Sequence, residues 1–195
     1  MDELRRLLEA AKEIEKRGGG GEWYRLILIG IYTGLRLGDC CQLDWSKVNA
    51  AEGVIQLIPQ KTRRHAHGKP VTIPIHPALK DVLLGEAGKE GAGPVLPNVA
   101  SMYVHGAWQV SHAIARIFKK AGIETSVLIP GRKRRTPEAT FHSLRHTFVS
   151  FAANAGVPLH VVQSIVGHES TAMTRHYYHE NLKALKSAVA AIPTL

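Results

Sequence analysis

Val54-Ile55-Gln56-Leu57-Ile58-Pro59-Gln60-Lys61-Thr62-Arg63-Arg64-His65-Ala66-His67-Gly68-Lys69-Pro70-Val71-Thr72-Ile73-Pro74-Ile75 is the stretch on which the reading of the fold turns. Its two ends, Val54 to Ile58 and Pro70 to Ile75, are apolar and largely β-branched runs of strand length. Between them lies a basic stretch, Gln60 to Lys69. Two such runs around a polar connection predict a hairpin with a long charged loop.

Outward from this hairpin the apolar residues recur at helical spacing. Leu4, Leu7, Leu8, Ala11 and Ile14 predict an amphipathic helix over residues 2 to 17, ended by Gly18 to Gly21. No Lys-Ser or Lys-Thr follows those glycines, so they do not read as a P-loop. Trp23 to Tyr32 is almost wholly apolar but too short to span a bilayer, which predicts a buried helix stopped at Thr33-Gly34. A short helix is expected from Leu35 to Leu43, one opening at Pro77, and one more between Ser101 and Ala121. Pro130 to Pro137, containing Arg132, Lys133, Arg134 and Arg135, reads as a basic loop. Phe141, Leu144, Phe148, Phe151, Ala152 and Ala155 then mark one helix face, with Gly156 as its stop. Pro158 to Val166, Ser170 to Tyr178 and Asn181 to Ile192 complete the expected helices. The fold class is therefore mainly α with a small antiparallel β-sheet (α+β).

The chain has 195 residues, enough for a single domain with a real core. Lys and Arg number 25 against 16 Asp and Glu, and the resulting net charge of +9 favours a polyanionic partner, nucleic acid first. The start, Met1-Asp2-Glu3-Leu4, lacks the basic-then-apolar order of a secretory signal, and a cytoplasmic protein without membrane spans is expected. Cys40 and Cys41 are neighbours on a helical pattern and point apart, so a disulfide between them is not expected.

Three segments place phosphate-binding groups beside breaks in structure. In Thr33-Gly34-Leu35-Arg36-Leu37-Gly38-Asp39 an arginine fork follows a helix-ending glycine, with an acid one turn on that could hold it. Taken alone, Arg36 reads as an ordinary surface or salt-bridge residue. In Phe141-His142-Ser143-Leu144-Arg145-His146, His142 and Arg145 are three apart and share a helix face. Alone, this pair reads as well as a helix start with polar residues outward. Val166-Gly167-His168-Glu169, followed by Thr174-Arg175-His176-Tyr177-Tyr178-His179, is the third.

Together these segments resemble the tyrosine recombinase and phage integrase family over roughly residues 3 to 185. The family pattern is an Arg after Thr-Gly-Leu, a Lys on a β-hairpin, a His-x-Leu-Arg box, a Gly-His pair and a nucleophilic Tyr nine residues after that His. Arg36, Lys61, His142 with Arg145, His168 and Tyr177 match it in order. The resemblance implies a catalytic domain that cleaves double-stranded DNA through a 3′-phosphotyrosyl bond and rejoins it, with no metal and no cofactor. It implies that Arg36 and Arg145 hold the non-bridging oxygens and that Lys61 protonates the leaving oxygen, with Lys69 the alternative. His142 would assist proton transfer at Tyr177, and His168 would hydrogen-bond the phosphate.

The chain departs from the family in three respects. A separate DNA-clamping domain usually precedes the catalytic one, and here residues 1–195 are expected to be the catalytic domain alone. Tyr178 stands where the family often has Thr, so two tyrosines compete; counting from His168 selects Tyr177. The Arg132 to Arg135 loop is longer and more basic than usual. Eleven histidines raise a metal reading, yet pairs such as His65 with His67 or His176 with His179 match no zinc signature. Strand exchange would require a tetramer on DNA, with the helix from Asn181 to Ile192 docking into a neighbouring protomer near the nucleoid. The alternatives are DNA relaxation of the type IB topoisomerase kind and an idle DNA-binding fragment.

Overall fold

A computed structural model describes residues 1–16, 22–63, 70–84, 92–128, 131 and 136–166. It is mainly helical. Helices α1 (Asp2–Ile14), α2 (Glu22–Thr33) and α3 (Leu37–Cys41) precede a 3-10 turn (Trp45–Lys47) and strands β1 (Val48–Asn49) and β2 (Val54–Leu57). A helical turn α4 (Gln60–Arg63), strand β3 (Val71–Pro74) and helices α5 (Pro77–Leu84), α6 (Pro97–His105) and α7 (Ala107–Lys120) follow. A two-residue ribbon, β4 (Ser126–Val127) with β5 (Thr136–Pro137), leads to α8 (Phe141–Asn154) and α9 (Leu159–Val166). None of the described helices is long and apolar enough to cross a membrane.

The central element is α2. Trp23, Leu26, Ile27, Leu28, Ile29 and Ile31 are all buried, so this helix is wrapped on every side, as an apolar circumference demands. Its N-terminal Glu22 is also buried. That carboxylate accepts hydrogen bonds from the Asn98 main-chain N–H (3.0 Å), Asn98 Nδ2 (2.7 Å) and Val99 N–H (2.7 Å), the first amides of α6. Leu96 at the N-cap of α6 offers no side-chain bond, so the cap comes from 76 residues earlier in the chain. At the other end, Thr33 Oγ1 donates to Ile29 O (2.6 Å) and Gly34 turns the chain with φ +63°. A residue with a side chain would be strained there.

Helix α8 lies closely against α2. A Cβ on Gly30 would come within 2.6 Å of Phe141 Cζ and 3.0 Å of Leu144 Cδ1, so the missing side chain sets the helix separation. The expected apolar face of α8 is partly corrected. Phe141 and Leu144 are buried, but Phe151 is 43% exposed and Arg145 and Val149 take inward positions. Gly30 meets Phe141 and Leu144 while Gly34 meets Phe148, so α2 ends before the last turn of α8 and leaves Phe151 uncovered.

The hairpin is present as expected, with register Val54↔Pro74, Ile55↔Ile73, Gln56↔Thr72 and Leu57↔Val71. Ile55, Val71 and Ile73 point into the core while Gln56 and Thr72 face out. Three features differ from expectation. The sheet has a third strand, β1, whose two residues are too few to show a period. The connection begins with the helical turn α4 and not as an irregular loop. The region from Ser101 to Ala121 holds parts of two helices, separated at Gly106, where the extended backbone (φ 172°) breaks the helical ladder. Cys40 and Cys41 are buried and unpaired; burial pushes the Cys40 thiol well up and the Cys41 thiol up to about 12, leaving both protonated.

Candidate functional site

Leu35, fully buried beyond the Gly34 turn, fixes where the next residue points. Arg36 is the N-cap of α3, in extended conformation, and its half-buried guanidinium borders a cleft of about 450 Å³. The other walls are Ser111, Ile114 and Ala115 from α7, Thr125 ahead of β4, and Ala139 to His142 at the start of α8. Arg36 Nη1 is shielded from solvent and has no hydrogen-bond partner among the described residues. A cationic donor in that condition is a receptor for an anion.

His142 is placed by a capping box. Thr140 Oγ1 accepts from the His142 N–H (3.2 Å), and the Thr140 N–H donates to Ser143 Oγ (3.1 Å). The imidazole stands edge-on to His146, with ring centroids 4.6 Å apart. Its pKa is pushed down to about 4, first by desolvation and then by the positive fields of His146, Arg145, Arg36 and Lys61, although the residue keeps an exposed edge. A neutral imidazole results, with a ring nitrogen able to accept a proton.

Arg145 sits deeper than the sequence suggests. It is 2% exposed, and its guanidinium donates from Nη1 to Gly34 O and from Nη2 to Val166 O, both at 2.6 Å, while Nε has no partner among the described residues. Burial and then the Arg36 charge press its pKa down to about 10, against the opposing pull of Asp39 and Cys40, so it remains protonated at neutral pH. The side chain thus joins the turn before Arg36 to the end of α9, immediately ahead of Gly167-His168.

Lys61 is exposed on α4, the turn that follows β2. That turn is tied to α3: the Gln60 N–H donates to Asp39 Oδ1 (2.8 Å), and Gln60 Nε2 donates to Gly38 O (3.2 Å). Sequence reading singled out neither Gln60 nor the α7 wall, since the contacts of both are with residues remote in sequence; the Thr140 cap did have a local signal, a threonine three residues before Ser143. Of the residues singled out, Arg36, Lys61 and Arg145 all come within electrostatic reach of His142, and Arg36 also within reach of Arg145. His168, Tyr177, Tyr178, Lys69, the Arg132 to Arg135 run, His65, His67, His176, His179 and the helices expected over 170–178 and 181–192 lie outside the described residues.

Comparison with known proteins agrees with this fold. Residues 1–183 match the Phage integrase family. Tyrosine recombinase XerA of Pyrococcus furiosus is 27% identical over 190 residues, covering 96% of this chain and 59% of XerA, so the chain spans about three fifths of that relative. The catalytic domain of bacteriophage HP1 integrase superposes with a TM-score of 0.67 at 24% identity, over 98% of this chain and 92% of that domain. A XerH site-specific recombinase bound to difH substrate in a pre-cleavage complex gives a TM-score of 0.62 at 20% identity, over 97% of this chain and 52% of the other. These two structural likenesses concern the fold.

Proposed function

Because the chain belongs to the phage integrase family, we propose that it is the catalytic part of a site-specific recombinase that cuts duplex DNA by transesterification onto Tyr177 and rejoins it. The observation that carries this reading is that Arg36 and His142 line one cleft, where desolvation and then the nearby charges of His146, Arg145, Arg36 and Lys61 keep the His142 imidazole neutral. The +9 net charge and the likeness to a transposon integrase in complex with transposon right end DNA support a duplex as substrate.

In the cleavage step the Tyr177 hydroxyl oxygen attacks the scissile phosphorus while the bond to the 5′-oxygen breaks. His142 accepts the tyrosine proton and Lys61 delivers one to the departing oxygen. Arg36, whose Nη1 has no partner among the described residues, holds a non-bridging oxygen, where a preorganised donor is worth roughly 10²- to 10³-fold. Arg145 lies beneath and supplies charge; direct contact with the phosphate requires release from the Gly34 or Val166 carbonyl. His168 adds a further donor. One phosphoester replaces another, so rejoining by the reverse steps needs no ATP, and the arginines do the work that a divalent ion does elsewhere.

Strand exchange follows when four protomers assemble on DNA through residues 181–192, and the place of action is the nucleoid in the cytoplasm. Incubation with a nicked suicide duplex followed by denaturing electrophoresis is the test. A covalent protein–DNA band is expected, resistant to EDTA, lost in Tyr177→Phe and kept in Tyr178→Phe. Persistence of the band in both single variants and in the double variant would end the phosphotyrosine mechanism.

A further inference from the structure

The link between α3 and α4 couples two groups that the mechanism uses separately. Asp39 and Gly38 belong to the helix that Arg36 caps, and Gln60 immediately precedes Lys61. Gln60 reaches that helix twice, through its main-chain N–H to the buried Asp39 carboxylate (2.8 Å) and through its side-chain amide to Gly38 O (3.2 Å). Two bonds from one residue fix orientation as well as distance. Gly38 permits the approach, since a Cβ there would stand 3.2 Å from Gln60 Oε1 and 2.6 Å from Tyr103 Oη. Lys61 itself is exposed, so its own side chain contributes little to holding α4 in place.

We propose that Gln60 is a positioning residue for Lys61: its paired bonds to Asp39 and Gly38 hold the lysine at a fixed offset from Arg36, so that proton donor and phosphate-binding arginine meet the same phosphate as a unit. The inference rests on the recombinase reading above. Loss of the Gln60 side-chain bond would leave Arg36 and the nucleophile intact but let α4 pivot about the main-chain bond from Gln60 to Asp39. The step that suffers is then protonation of the leaving 5′-oxygen, where general acid catalysis is worth roughly 10²- to 10⁴-fold.

The leaving group separates this role from a structural one. A sulfur in place of the bridging 5′-oxygen leaves as a thiolate, roughly 7 pK units less basic than an alkoxide-like oxygen, and needs no acid. The full chain, Lys61→Ala, Gln60→Met and Gln60→Ala would each be given oxygen- and sulfur-bridged suicide duplexes, with thermal unfolding as the check on folding. Gln60→Met keeps side-chain length and removes the donor; Gln60→Ala serves if the methionine fails to fold. Lys61→Ala is expected to lose at least about 100-fold on oxygen and to regain wild-type rate on sulfur. A Gln60 variant is expected to lose about 10-fold or more on oxygen and to recover likewise. Equal loss on both substrates, or no loss on either, overturns the positioning role while sparing the recombinase reading. Failure of Lys61→Ala to recover removes Lys61 as the acid and the inference with it. No adduct from the wild-type chain on either substrate defeats the recombinase reading itself.

Discussion

Arg145 carries its charge into the core and spends two donors on main-chain carbonyls that no other described group satisfies at that depth. Replacing it with methionine would leave Gly34 O and Val166 O buried without partners, at about 1 to 3 kcal/mol each. Arg145→Met is therefore expected to lower the thermal unfolding midpoint by several degrees as well as to reduce cleavage; an unchanged midpoint would show the two bonds to be inconsequential. His142 makes a different prediction. Its folded pKa of about 4 lies below the ordinary value of 6.5. Its contribution to stability is thus complete above pH 6.5 and is lost as pH falls towards 4. If the neutral ring accepts the Tyr177 proton, kcat/KM for adduct formation stays level through pH 6.5 and declines near pH 4, because that parameter follows the free enzyme. An acidic limb centred at 6.5 would dissociate His142 from the step.

Helices α2 and α8 form the support under the cleft, and their separation is set by a glycine. Gly30→Ala places a methyl 2.6 Å from the Phe141 ring, which is itself the first residue of α8 and a wall of the cleft. Overpacking of this kind costs about 1 to 3 kcal/mol. The expected result is a lower unfolding midpoint and slower cleavage, since His142 moves with Phe141. The cap on α6 is a second contact between elements. In Glu22→Gln one of the two acceptor oxygens becomes an NH₂ facing amide donors, so amide exchange at Asn98 and Val99 should accelerate ahead of the rest of the molecule. Uniform exchange rates before and after the substitution would place the end of α6 under other control.

For the whole molecule the governing quantity is charge. An excess of nine positive charges on a domain of this size favours phosphate contacts over base reading as the larger part of affinity. Affinity for duplex DNA is expected to fall linearly in a log–log plot against salt, by about 10³-fold between 50 and 200 mM if six phosphates are contacted. Titration by fluorescence anisotropy at four salt concentrations measures the slope, and a flat plot would count against backbone recognition. The same measurement on Tyr177→Phe should give the same slope, since the nucleophile adds no cation.

Local physics determined much of this protein from the sequence alone. The amphipathic spacing of α1, the apolar circumference of α2, the Gly34 and Gly156 stops, the β-branched runs of β2 and β3 and the order of Arg36, Lys61, His142 and Arg145 are all carried by residues close in the chain. Contacts between distant residues had no such signal. Glu22, which precedes the apolar run from Trp23 and drew no reading, becomes the cap of α6; Gln60 reads as the edge of a charged loop and becomes the tie to α3. Phe151 has the spacing of a core residue, yet only packing reveals that its partner helix has already ended. Arg145 shows the difference most plainly. Its spacing from His142 implies a shared face, whereas its guanidinium turns inward and is buried, because the carbonyls of Gly34 and Val166, just past α2 and at the end of α9, each accept one of its donors.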